Sequence, residues 1–239
     1  MRATAVRRTA LAATTLTLAA LVTACGGAEE EKGGTEGKAK APATASALPE
    51  AKALSAEELS HLLVEEGDLK GTGYRTQGDV DLDLLTATAI STDNPACKPI
   101  ADAMSAAPSG ATVTWRRMVV TEAKGGTATA VALGSYDGRG AQEWFGSLKA
   151  AGAACGNGFT ATEATEKTRV SKVVPESLAA GDEALAWSIT ADVKGAPVVT
   201  RLAVVRKDNV MAVFPTVGLV GDVKKQPKPL IDAQAAKLG

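Results

Sequence analysis

The chain has 239 residues, a formal net charge of −1, 45% hydrophobic residues and only 3% aromatic residues. That charge gives no broad electrostatic reason to bind nucleic acid. So few rings leave little surface for stacking on sugars or bases, and the core must pack small aliphatic side chains.

The first elements read as an address. Arg2, Arg7 and Arg8 precede an apolar run from Leu11 to Val22, which ends in Leu21-Val22-Thr23-Ala24-Cys25. The run has the length of a signal-peptide core and is shorter than the roughly 20 residues that span a bilayer. Small residues before a cysteine resemble a lipobox, so residues 1–24 are expected to be a lipoprotein signal peptide. Cys25 is then the lipidated first residue, holding the protein at the extracytoplasmic face of the cell membrane. Two or more acyl chains anchor stably, whereas one binds marginally. The pair Arg7-Arg8 fits a twin-arginine export signal and an ordinary basic flank equally well. Loss of residues 1–24 removes three arginines and no acid, which takes the net charge from −1 to −4.

Residues 25–53 comprise the lipidated cysteine and a stretch of Gly, Ala, Glu, Lys, Thr and Pro with an acidic run at Glu29-Glu30-Glu31. Such a composition buries too little apolar surface to offset the entropy of ordering. The expectation is a flexible tether with an r.m.s. reach of about 30 Å. Residues 54–239 then form one domain of ordinary size. With Cys25 lipidated, Cys97 and Cys155 remain, and two cysteines in an exported protein read as a disulfide. It closes a loop of 58 residues (97 to 155), which the chain-entropy model values at about 4 kcal/mol.

Along the domain, Ser55 and Glu58 have capping-box spacing, and Ala56, Leu59, Leu62 and Leu63 give a helix stripe expected to end near Gly67. A strand follows over Tyr74 to Gln77, then extended chain from Leu84 to Ile90. Asn94-Pro95-Ala96-Cys97 opens a short helix, with Pro99 suited to its first turn. Val113 to Thr121 and Thr127 to Tyr136 read as a hairpin across Lys124-Gly125-Gly126. Ala141, Trp144, Phe145, Leu148 and Ala151 share the face of a helix that stops at Gly152, so the disulfide should pin that helix's exit to the helix of Cys97. Strands are expected near Phe159–Thr165, Thr168–Val174, Ala184–Asp192, Val198–Arg206 and Val210–Phe214. Pro229 starts a last helix presenting Leu230, Ile231, Gln234 and Leu238. Short connections favour a mostly antiparallel sheet, with four helices covering part of it: an α+β fold.

Catalytic chemistry finds little support. The chain's one histidine, His61, lies opposite the Leu59/Leu62/Leu63 stripe, so serine or cysteine nucleophiles have no evident imidazole partner. Asp79, Asp81 and Asp83 alternate like the start of a calcium loop, but Leu84 and Ile90 stand where glycine and glutamate are required. Gly71-Thr72-Gly73 reads as a turn, and Trp187 as core. Trp115-Arg116-Arg117 fits a small anion or sugar contact, or a packed Trp115/Arg117 pair with the other arginine facing water. No cofactor, metal or catalytic residue is expected.

The order of these residues resembles the actinobacterial extracytoplasmic sensor-type domains of PknH-like receptor kinases and related lipoproteins. The resemblance covers about Leu54 to Leu238. Its carriers are the opening Leu-rich helix, Asn94-Pro95-Ala96-Cys97, the Trp144 helix leading to Cys155, and Gly181-Asp182-Glu183-Ala184. The stretch from Arg201 to Val213, turning at Arg206-Lys207-Asp208-Asn209, belongs to it too. The family typically has two disulfides, and a tryptophan beside its second cysteine that this chain lacks. The resemblance implies an antiparallel sheet with flanking helices, a ligand cleft and no catalytic residues. The expected function is a membrane-anchored, non-enzymatic module that binds or senses a small ligand or an envelope protein. The alternative is a carrier of lipid or glycolipid.

Overall fold

The structure, a computed structural model, describes residues 51–79, 90–121 and 126–239. Cys25, residues 26–50, Asp81, Asp83 and the Lys124-Gly125 part of the expected hairpin turn lie outside the described residues.

The capping box forms. Ser55 Oγ accepts from the Glu58 N–H and Glu58 Oε2 from the Ser55 N–H, starting α1 (Ala56–His61). The helix ends a turn or more before Gly67 because distant groups hold the chain that follows it. Gln234 donates to the Leu62 carbonyl and accepts from the Val64 N–H, while Arg117 Nη1 donates to the Val64 carbonyl. Leu63 and Val64 are still fully buried.

The strands are β1 (Tyr74–Asp79), β2 (Ile90–Thr92), β3 (Val113–Thr121), β4 (Thr127–Ser135), β5 (Phe159–Glu163), β6 (Glu166–Glu176), β7 (Glu183–Val193), β8 (Ala196–Lys207) and β9 (Val210–Gly218). Among the described residues they form a single nine-stranded sheet in the order β1-β3-β4-β9-β8-β7-β6-β5-β2. Each of the eight neighbouring pairs is antiparallel. The remaining helices are α2 (Lys98–Met104), α3 (Gly140–Ala154) and α4 (Lys228–Leu238). Asn94 caps a 3-10 turn (Pro95–Cys97) that leads directly into α2, with Pro99 in the first turn as expected.

Both faces of the central strands are buried. Leu202 and Val204 of β8 enter one core with Ile100, Trp144, Phe145 and Leu148 from α2 and α3. Ala203 and Val205 enter the other with Leu59, Leu230 and Ile231 from α1 and α4. This explains why β8 and β9 read as continuous apolar runs rather than alternating ones; a strand covered on both faces has no side for water.

The disulfide joins Cys97 to Cys155 with a Cα–Cα distance of 5.8 Å. Cys155 caps α3 and Cys97 precedes α2, so the bridge does pin the exit of one helix to the start of the other. α3 does not stop at Gly152. The glycine is there for close approach: a Cβ would sit 2.6 Å from Trp187 Nε1 on the sheet below. Gly152→Ala is therefore expected to destabilise by about 1–3 kcal/mol through overpacking, despite alanine's better helix propensity. A thermal melt that rises instead of falling would show that the ring can move aside.

Candidate functional site

At one end of the sheet, residues expected to be tether are seated on the domain. Gly138 N donates to the Ala51 carbonyl, Asn209 Nδ2 to the Lys52 carbonyl, and Ala53 N to Asp137 Oδ1. Residues 51–53, which fall within the expected tether, are thus seated on the domain, with Asp137, Gly138 and Asn209 supplying polar partners for their backbone. Beside this seam is a hollow of about 220 Å³ lined by Ala51, Gln142, Arg206 and Asp208 among others. Its cation is already engaged: Arg206 pairs with Glu183 at 2.8 Å and with Asp182 at 3.7 Å.

The Ala53 N–H, and after it the Thr112 hydroxyl, hold the Asp137 carboxyl below the ordinary aspartate range. A carboxyl depressed in the folded state contributes above its unfolded pKa and loses that contribution as pH falls through the lowered value. Ala53 amide protection is expected to persist at neutral pH and to fall below about pH 4. Asp137→Ala should remove it at pH 7. An Ala53 amide indifferent to both changes would show that the carboxylate does not hold the seam.

Two further hollows flank the β5–β6 hairpin. The polar one, about 180 Å³, is bounded by Asp93, Asn157, Thr160 and Arg169, with Phe159 and Val170 below. Asp93 is committed to structure, since its Oδ1 accepts from the Thr160 N–H at 2.7 Å. That bond is the first cause of its lowered pKa. Gly158 has φ +85°, and any side chain there would run into the Val170 carbonyl.

The other hollow, about 160 Å³, lies between α2 and the β5–β6 hairpin. Buried Ile90 and Ala101, with Met104 and Ala161, make an apolar floor; Ser105, Thr168, Glu163 and Glu166 make a polar mouth. Strand register puts Glu163 directly opposite Glu166, so two carboxylates face the opening. An apolar floor with a few converging polar groups is the usual form of a small-molecule site, and this hollow is the candidate. It has room for a small group rather than an acyl chain.

His61 is exposed at the end of α1. Among the described residues there is no cluster of three or more metal-ligating side chains, and no helix is long and apolar enough to cross a membrane. Gly71 and Gly73 have φ of +77° and +79°, as a turn requires, and Trp187 is core at 2% exposure. The expectation that one arginine of β3 faces water is corrected. Arg116 is buried at 6% exposure on the face of Ala132, and Arg117 turns to the Val64 carbonyl. Trp115 joins the α1/α4 core. Arg116 is thus the buried one of the pair, and Arg117 is half-buried.

Composition gave no sign of a second polar centre. Gln226 Nε2 donates to Glu176 Oε2 at 2.8 Å and to the Trp187 carbonyl at 3.1 Å, and Arg201 lies 3.3 Å from Glu176 Oε1. It ties β6, β7 and β8 to the chain entering α4.

The fold and its hollows define an α+β domain of one antiparallel sheet between two helical layers, stapled by one disulfide. No protein-family model matches the chain, and the comparison with curated proteins returns no match. Among solved structures, the chain is similar in fold to the extracellular domain of PknH from Mycobacterium tuberculosis. The TM-score is 0.54 and the identity 13%, over 78% of this chain and 97% of that one. The antiparallel sheet with flanking helices implied by the sequence resemblance is the fold this chain adopts.

Proposed function

We propose that the chain is a membrane-anchored extracytoplasmic lipoprotein whose domain binds or senses a small ligand, without catalysis. The observation that carries this reading is the fold likeness to an extracellular domain across 97% of that domain. The signal and lipobox pattern ending at Cys25 supports the anchor, and the Cys97–Cys155 bridge suits an oxidising compartment. The exposed, isolated His61 supports a non-enzymatic role. The hollow under α2 is the proposed ligand site.

Two measurements test the reading. Cys25→Ser is expected to abolish the lipid mass shift and move the protein from the detergent phase to the aqueous phase; continued partition with the mass shift intact would end the anchoring claim. For binding, native mass spectrometry of the freshly purified chain should show a retained small adduct that Met104→Trp expels by filling the hollow. An adduct unaffected by Met104→Trp would place the site elsewhere, and a retained lipid would favour a carrier.

A further inference from the structure

At the end of the sheet opposite the residue 51–54 seam are the four most exposed large apolar side chains of the described residues. Val220 is 77% exposed, Leu219 57%, Val193 49% and Val217 48%. They sit on projecting segments. Val193 closes β7 at its turn into β8, and Leu219 and Val220 follow the last residue of β9. Leu219 is held there by its N–H, which donates to the Gly126 carbonyl. The chain then folds back along β8, where Val223 N donates to the Val199 carbonyl at 2.8 Å. The two apolar residues are therefore fixed at the tip, with backbone hydrogen bonds on either side of them.

The charges beside these tips are not balanced. Asp192 Oδ1 accepts from Gly195 N at 2.7 Å and Asp222 Oδ1 from Val199 N at 2.8 Å. Both acids shape the tips and keep their charge, so three lysines, Lys194, Lys224 and Lys225, stand against two carboxylates. Lys194, Lys224 and Lys225 are exposed and make no ion pair among the described residues. Exposed aliphatic side chains at strand ends and turns, flanked by lysines without an ion pair, fit an interface that is apolar within and negative at its surface.

We propose that this end of the domain is a contact surface for an anionic lipid bilayer, with Leu219, Val220 and Val193 entering the headgroup boundary and the lysines meeting lipid phosphates. The inference rests on the anchoring reading only to bring the domain near a membrane. The geometry allows it. The 26 residue-to-residue steps from Cys25 to Ala51 can span at most about 90 Å. The twelve residues of β8 cover about 40 Å. A chain anchored at Cys25 is thus long enough for the domain to present its far end to the same bilayer.

The test uses residues 46–239, a compact unit by itself that holds every described element and the disulfide. Because this unit lacks Cys25, failure of the anchor and failure of this proposal are read separately. Vesicles of phosphatidylcholine, with and without phosphatidylglycerol, are sedimented with the protein. The parent should partition onto the phosphatidylglycerol vesicles, and Leu219→Ser with Val220→Ser should weaken that about tenfold, the loss expected for removing roughly 60 Å² of buried apolar surface. Lys194→Glu, Lys224→Glu and Lys225→Glu together should abolish the preference for phosphatidylglycerol. Val220→Trp gives a second readout, a blue-shifted emission on the same vesicles. A parent left in the supernatant with both lipids, an unchanged partition in the serine variant, or an unshifted Val220→Trp emission would overturn the proposal. So would a dimer by light scattering that the serine variant dissolves while vesicles are ignored.

Discussion

Replacing Cys97 and Cys155 together by alanine is expected to lower the melting temperature of the domain by about 8–16 °C. The figure follows from the 58-residue separation of the two cysteines. Closing a loop of that length removes about 4 kcal/mol of conformational freedom from the unfolded chain. For a domain of 150–250 residues each kcal/mol moves the midpoint by about 2–4 °C. Native packing argues against a smaller effect. Cys97 and Cys155 are 0% and 1% exposed, in the core that also holds Ile100, Trp144 and Phe159. The double variant leaves the space of two sulfurs there and frees α2 to move relative to α3. Differential scanning calorimetry of oxidised parent and double variant checks the shift. Two titratable thiols in the non-reduced parent, or a midpoint displaced by less than 3 °C, would mean the bridge does not staple this domain.

Elements governed by local chemistry are legible in the sequence. The Ser55/Glu58 box, the Asn94 cap, the β3–β4 hairpin and the apolar face of α3 each rest on residues a few positions apart, where spacing carries the information. The disulfide was legible by counting, since setting Cys25 aside as the expected lipidation site leaves only one pairing. Sequence spacing cannot report which groups meet across the sheet. Gly152 looked like a helix stop because glycine usually is one, whereas its role is set by Trp187, thirty-five positions away. Arg116 looked solvated because alternation along β3 presumes one wet face, whereas the face it shares with Ala132 is covered at that position. The hollow under α2 was illegible for the same reason. Its floor joins Ala101 and Met104 of one helix to Ala161 of a hairpin, and no motif relates them. Ala51 to Ala53 looked like tether because their own composition is tether-like; the groups that seat them are on Asp137 and Asn209.

Gln234 carries the second large effect. On sequence it belongs to the inward face of the last helix, an odd place for an amide, and it is 0% exposed. Its burial is satisfied by chain 170 residues away. Oε1 accepts from the Val64 N–H at 3.0 Å, and Nε2 donates to the Leu62 carbonyl at 2.7 Å. One side chain thus completes the backbone hydrogen bonding where α1 ends and fastens α4 to it. Gln234→Ala takes both bonds away, strands the Val64 donor beside fully buried Leu63 and leaves a void. An unsatisfied buried group costs about 1–3 kcal/mol, and the void adds to it. The expected loss is about 3–4 kcal/mol, a fall of roughly 6–16 °C in the melting temperature. Gln234→Met separates the causes, since it refills the volume but restores neither bond. If the polar clamp dominates, methionine recovers less than half the loss. Amide exchange at Val64 then accelerates in both variants while exchange in β8 and β9 is unchanged. Full recovery by methionine, or a Val64 amide as protected as in the parent, would show that Gln234 acts by filling space. In that case the early end of α1 would need another cause, and Arg117, through its bond to the Val64 carbonyl, is the residue to test for it.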